Sequence, residues 1–428
     1  MRFIADFHIH SHYSRATSKQ MNISSIAKWA QMKGIEVIGT GDFTHPRWFE
    51  EIQKKLEPAE PGLFRLKPEY EKEVQKEVFK SCRTDMRYLL TVEISTIYKK
   101  NDKVRKVHSV IFAPSFDVAA KINARLQKIG NISSDGRPIL GLDTKELLKI
   151  TLDASEDCLF VPAHIWTPHF SVFGSRSGFD TMKECFEELT QYIYAIETGL
   201  SSDPAMNWRI AELDNLAIIS NSDAHSPGKL GREANIFNTE LSYPAITKAL
   251  KTNDTKAFES TIEFYPQEGK YYLDGHRNCK TCLTPKETKR NKFLCPVCGK
   301  PVTVGVMHRV EDIANYRQGY KPKNARPFKC IVPLPEIISE VESVGVASKR
   351  VQTKFLNTLE ALGNEFSILL DLPIKDIEAH GGVMLAEAIK RMRDGNINIA
   401  AGYDGEYGKI KIFDDKDRER LSSQESLF

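Results

Sequence analysis

A chain of 428 residues with 41% hydrophobic and 27% charged residues holds enough apolar content for one large core and one or two smaller ones, which excludes a disordered polymer. No run of 18 or more apolar residues occurs and the N-terminus lacks a signal-peptide pattern, so a cytoplasmic protein is expected rather than a membrane-spanning or secreted one. The formal net charge of +3 conceals a split: Arg277 to Cys330 carry 13 Lys/Arg against 3 Asp/Glu, a local +10 that leaves the remainder at about −7.

Taken in order, residues 1–265 read as repeated strand-then-helix units, the pattern of a parallel α/β architecture. In FIADFHIHSH an apolar approach ends in His8 and His10, two apart and therefore on one face of an extended backbone. Asn22 or Ser24 caps SSIAKWAQMKG, whose Ile26, Ala27, Trp29 and Ala30 form an apolar stripe and whose Gly34 is a stop. IEVIGTGD then reaches Asp42, and PRWFEEIQKKL and PEYEKEVQKEVFKSC read as amphipathic outer helices. RYLLTVE reaches Glu93, and EISTIYKKNDKVRKVHSVIF reads as a hairpin that joins the strand of Glu93 directly to that of His108. CLFVPAH ends in His164, YIYAIE in Glu197, and LAIISNSDAH in Asp223 and His225, again two apart.

One polar residue at a strand end is more often a capped or paired group than a ligand. Seven such endings are another matter, because carboxyl ends of barrel strands face one shared mouth. The aromatic and Gly/Ser-rich loop from Ile165 to Phe179 reads as a substrate-facing lid or an ordinary connection, with His169 and Arg176 as candidate contacts to phosphate or leaving group.

Four of the eight cysteines form two C-x-x-C pairs, which suits metal binding better than a disulfide scaffold. Within a segment taken as 266–330, Cys279, Cys282, Cys295 and Cys298 are expected to surround one structural zinc, a closed site without catalytic access, beside a basic flank. Residues 331–415 read as a mostly helical region: EIISEVES, then SKRVQTKFLNTLEALG between Ser348 and Gly363, then a helix from about Met384 to Arg393. NINIAAGYDGEYGKIKIF alternates as a hairpin around Asp404-Gly405, where Tyr403 and Tyr407 either stack on a base or simply serve the turn. Residues 416–428 read as a flexible tail whose Gln424, Leu427 and Phe428 resemble the peptide that docks bacterial proteins on the replication sliding clamp.

The elements HIHSHYS, GTGD, a strand-end Glu, a strand-embedded His, PAH and SDAH resemble the PHP superfamily of metal-dependent phosphoesterases. That resemblance implies a distorted seven-stranded (β/α) barrel with two or three divalent ions, zinc, manganese, magnesium or iron. It implies that His8, His10, Glu93 and Asp223 hold one ion and are catalytic, that a bridging Glu93 with His108 and His164 holds a second, and that His225 serves a third. The chain departs from the family at that third position: Gly41, Asp42 and Phe43 replace Thr-Asp-His, and Arg15 and Ala16 stand where a further ligand is usual. Two ions are therefore favoured unless Asp42 turns inward as a ligand.

The full layout, barrel then four-cysteine ribbon then helical region, resembles the endonuclease Q family of DNA-repair enzymes. It implies a nucleoid-associated enzyme that nicks double-stranded DNA 5′ to hypoxanthine, uracil, xanthine or an abasic site. A small-molecule phosphatase of the histidinol-phosphate type and a DNA-binding protein with an inactive barrel remain as alternatives.

Overall fold

The computed structural model describes residues 1–414 and Asp417, so the peptide at Gln424, Leu427 and Phe428 lies outside the described residues. All seven anticipated strands are present, but their arrangement is mixed rather than purely parallel. Arg2–Asp6 pairs parallel with Val37–Gly39, which pairs parallel with Arg87–Lys100. Next comes Lys103–Ala113, antiparallel from Leu90↔Ala113 to Lys100↔Lys103, and then Leu159–Pro162, also antiparallel. The cause is local. Asn101 and Asp102 take positive φ of 52° and 56°, forming a two-residue hairpin turn, and so short a link permits only antiparallel pairing.

Ala195–Glu197 and Ala217–Ile219 form a separate parallel pair. A hydrogen bond from Ile165 N to Glu197 O (3.1 Å) ties one side of this pair to the end of Leu159–Pro162. On the other side, the Ile9↔Ala224 bridge returns the chain to the first strand. Beyond Arg2–Asp6 the sheet continues through antiparallel Ala234–Asn238 and Phe258–Glu263 to a parallel strand, Phe328–Cys330.

Strand alternation explains how the core serves the site. Phe3, Ala5 and Phe7 fall in one buried cluster with Val37, Leu89, Val110, Val161, Ala195, Ala217 and Ile219, one face of every anticipated strand. Ile4 belongs instead to the cluster that packs against the helices. Glu93 follows Leu89 by four residues, His108 precedes Val110 by two, and Glu197 follows Ala195 by two, so each points to the same side as the apolar plug. The plug thus forms the floor on which the polar residues stand.

Helix Ile23–Lys33 starts where the Asn22 side chain accepts from Ser25 N (3.1 Å) and stops at Gly34, φ +87°. Pro46–Lys55 and Pro68–Glu77 are the anticipated outer helices. The carboxyl-terminal region contains Leu334–Glu342, Lys349–Leu362 (capped by Ser348, ending at Gly363), Val383–Arg393 and an unforeseen Ile374–Gly381. It docks on the first helix through the stacked Trp29 and Phe355 rings and a buried Lys33–Glu365 ion pair of 2.6 Å. Asn398–Ala400 and Lys409–Lys411 form the last hairpin, with Asp404 and Gly405 at φ 44° and 88°. No helix among the described residues is long and apolar enough to cross a membrane.

Candidate metal centre

His8 and His10 follow the first strand, Glu93 and His108 sit on the two arms of the long hairpin, and His164 and Asp223 lie just past their strands. Donor atoms of His8, His10, Glu93 and Asp223 all lie within 4.8 Å of one another, and so do those of Glu93, His108 and His164. Glu93 belongs to both groups, and its two oxygens face different ways. Oε1 lies 2.7 Å from His108 Nδ1 and 3.0 Å from His164 Nε2; Oε2 lies 3.3 Å from His10 Nε2 and 3.5 Å from His8 Nε2. Asp223 Oδ1 closes the first group at 3.0 Å from His10 Nε2. All of these side chains are buried except the half-buried Asp223.

A second layer fixes the first. Both Glu197 oxygens lie 3.0 Å from His8 Nδ1, and the same carboxylate accepts from His164 N (2.9 Å) and Asn221 Nδ2 (2.8 Å). With its Nδ1 proton so engaged, His8 turns Nε2 toward the centre. Asp42 does the same for His10. Its Oδ1 lies 3.1 Å from His10 Nδ1, and its Oδ2 accepts from Ser11 N (2.6 Å), Ser11 Oγ (2.7 Å) and Ser14 Oγ (2.8 Å). Asp42 was anticipated as an alternative ligand; here its oxygens are already taken by four donors, and it stands behind His10 in neither donor group. His225 is likewise in neither group: its Nδ1 meets the Asp223 carbonyl at 2.9 Å and its ring tilts against His10.

Arg137 was not foreseen. It lies in a polar loop with no spacing that marks it, yet its Nη1 is 3.0 Å from Glu93 Oε2. Gly136 makes the approach possible, because a Cβ there would fall 2.3 Å from Asp42 Oδ2. Glu197 was seen as a strand ending, but nothing in its spacing indicated that it would orient His8.

The electrostatics set buried carboxylates and imidazoles against one another. Burial pushes the Glu93 carboxyl up, but His108, Arg137 and His8 outweigh it and hold the group well below the ordinary carboxylate range. Burial lowers the His108 imidazole to about 4 against the opposing pull of Glu93. For His8 and His10 burial opposes charge, yet the adjoining carboxylates raise both well above the usual histidine value. His8 Nε2 is buried without a hydrogen-bond partner, a cost that an electron-pair acceptor at the centre would remove. Donors of this kind, so placed, fit divalent cations.

The other anticipated residues take varied places. The Ile165–Phe179 loop is anchored rather than free: Ile165, Trp166, Val172, Phe173 and Phe179 are buried, and Arg309 binds the Phe173 and Phe179 carbonyls at 2.9 and 2.8 Å. His169 and Arg176 are exposed on it. The Tyr403 ring lies over Gly275, whose added Cβ would meet it at 2.4 Å, while Tyr407 is 71% exposed. In the cysteine segment the gathered donors are His276, Cys279, Cys295 and Cys298, and the anticipated Cys282 is not among them.

Two donor groups sharing one buried carboxylate, at the strand ends of a mixed α/β sheet, define the class: an enzyme built around divalent metal. A family model described as the MJ0043 C-terminal domain matches residues 333–396. The structure is similar to that of the lesion-specific endonuclease PfuEndoQ from Pyrococcus furiosus, 31% identical with a TM-score of 0.84 over 99% of each chain. It is also similar to an Endonuclease Q complexed with a 27-mer duplex substrate carrying an abasic lesion at the active site, 31% identical with a TM-score of 0.81 over 97% of this chain and 98% of that one. The uncharacterized protein MJ0043 of Methanocaldococcus jannaschii is 33% identical over 275 residues, 61% of this chain but only 34% of that protein, so the match spans about a third of this relative. The chain belongs to the endonuclease Q family and is a nuclease of the hydrolase class.

Proposed function

We propose that the chain nicks duplex DNA on the 5′ side of a damaged nucleotide by hydrolysing one phosphodiester at a two-ion centre. His8, His10, Glu93 and Asp223 would hold one ion, and Glu93, His108 and His164 the other. The observation that carries this is Glu93, whose two oxygens face two separate donor groups. The strand circuit is taken as the distorted seven-stranded barrel of PHP type, and the cysteine segment as a structural zinc module. A bound divalent pair supplies activation of water and neutralisation of charge on the phosphoryl oxygens.

The protein's own residues do the rest. Glu197 and Asp42 hold the Nδ1 side of His8 and His10, so that both rings keep Nε2 turned toward the centre and a bound cation would take the place of the proton there. Arg137 spans the edge of the centre on Glu93 Oε2 and, once that oxygen is otherwise engaged, is free to donate to a non-bridging oxygen of the scissile phosphate. The basic stretch Arg277–Cys330 offers sequence-neutral contacts to the DNA backbone. Deamination exchanges an amino donor for a carbonyl acceptor, so a pocket presenting N–H donors to an everted base would select hypoxanthine, uracil or xanthine, and an abasic site has no base to extrude.

The test is incubation with Mn²⁺ or Mg²⁺ and a duplex carrying one deoxyinosine or one abasic site, with undamaged duplex and histidinol phosphate alongside. A single nick 5′ to the lesion is expected. Release of phosphate from histidinol phosphate with intact DNA would instead establish a small-molecule phosphatase, and lesion binding without cleavage an inactive barrel.

A further inference from the structure

Two C-x-x-C pairs invite a four-thiolate site, but strand geometry places the donors otherwise. Asp274–His276 pairs antiparallel with Thr281–Leu283 in the register Asp274↔Leu283, Gly275↔Cys282, His276↔Thr281. Residues directly opposite in such a pair share a face, and successive residues alternate. His276 and Thr281 therefore project to one side, and Cys282 with Gly275 to the other. Each side is marked by what lies on it. Cys295 Sγ is 3.6 Å from Thr281 Oγ1, so the thiols gather on the His276 side. The Tyr403 ring covers the Gly275 side. The 3₁₀ turn Arg277–Cys279, followed by Lys280 at φ +50°, swings Cys279 back beneath the hairpin, and all four donors of His276, Cys279, Cys295 and Cys298 fall within 4.8 Å of one another.

The spacing also fits. Zinc–sulfur and zinc–nitrogen bonds of about 2.3 and 2.0–2.1 Å at a tetrahedral angle put sulfur and nitrogen about 3.6 Å apart. Cys298 Sγ and His276 Nδ1 are separated by 3.6 Å. We propose that zinc in this module is held by His276, Cys279, Cys295 and Cys298, and that Cys282 is left as an exposed free thiol. This rests on the reading of the segment as a zinc module and is independent of the reaction at the barrel. The site would clip the hairpin to the Cys295–Cys298 turn. It would thereby steady the terminal loop, since Arg277 N and Thr303 Oγ1 both donate to Asp404, at 2.7 and 2.5 Å.

Iodoacetamide labelling of the native zinc-loaded full-length protein, mapped by mass spectrometry, tests it without any variant. Cys282 should be alkylated rapidly while Cys279, Cys295 and Cys298 stay protected until zinc is stripped. Protection of Cys282 together with the other three would overturn the assignment in favour of four thiolates. Labelling of all four before stripping would overturn the zinc module itself. In the cobalt-substituted protein, the sulfur-to-cobalt charge-transfer bands, which the thiol-free barrel centre does not produce, should survive Cys282→Ser and shift or vanish in His276→Ala. The reverse pattern would refute the proposal.

Discussion

The strand-end centre and the cysteine segment bring donors together by opposite means. In the first, six side chains from five separate strands stand on a buried apolar floor, and all but Asp223 are buried themselves. In the second, one short stretch from His276 to Cys298 gathers four donors of which only Cys295 is buried. The core and the second-layer carboxylates shape the first whether or not a cation is bound, whereas the second has little apolar material to hold it. Rigidity in one comes from packing; in the other it would come from the zinc proposed above.

Breaking the shared carboxylate should give the largest effect. Glu93→Gln is expected to lower the nicking rate roughly 10³-fold or more while circular dichroism and melting stay near wild type, because one residue serves both donor groups. Collapse of the fold in that variant would show that the centre is not shaped by packing alone. Next come the orienting carboxylates: Glu197→Gln and Asp42→Asn should each weaken metal affinity about 10–100-fold, with activity recovering at high Mn²⁺. A loss that no concentration of Mn²⁺ restores would make either residue more than an orienter.

Stripping metal sharpens the comparison directly. Hydrogen exchange should quicken over 276–298 and in the loop fixed by Asp404, yet barely change in Arg87–Lys100 and Lys103–Ala113. Equal loosening of both regions would show that packing holds the first no better than the second.

How far these two regions could be read in advance follows from the same contrast. His8 with His10 and Asp223 with His225 announce themselves because a period of two on a strand is visible in the letters. The long hairpin was also legible, and with it the neighbouring positions of Glu93 and His108, although its antiparallel turn is what makes the sheet mixed. Asp42 was visible as a residue but not in its role, since only the fold brings Ser11 and Ser14 onto its oxygen. Arg137 sits in a loop with no periodicity to mark it. Cys282 lies on the opposite strand face from the gathered donors His276, Cys279, Cys295 and Cys298, a placement that motif spacing, which only counts residues, does not reveal.

A quieter effect belongs to the buried acid that ends the strand Phe258–Glu263. Burial raises the Glu263 carboxyl from its ordinary 4.5 to about 8, with Ser220 and Thr261 hydroxyls donating to it. The folded state then keeps a proton that the unfolded chain releases, so this group's contribution is full below about pH 4.5 and is lost as pH rises through about 8. Against wild type, Glu263→Gln should gain relative stability across that window, by at most about 1.4 kcal/mol per pH unit, measured by urea titration. A flat difference between the two proteins would remove Glu263 from the account. Smallest of all, Tyr407→Ala on the exposed hairpin should cost about tenfold or less in affinity for a lesion duplex and leave the cleavage rate at saturation unchanged. An unaltered affinity would assign that tyrosine to the turn alone.

The strand Phe328–Cys330 has a mechanical consequence. It extends the mixed sheet that contains Arg2–Asp6, so the basic stretch is sewn to that sheet at its far end instead of trailing from it. A blade on a slack tether scatters its cuts; one riveted to the hand that grips the thread cuts at a constant reach. In the reaction proposed above, such a frame would hold grip and cut at one fixed distance and give products of a single length.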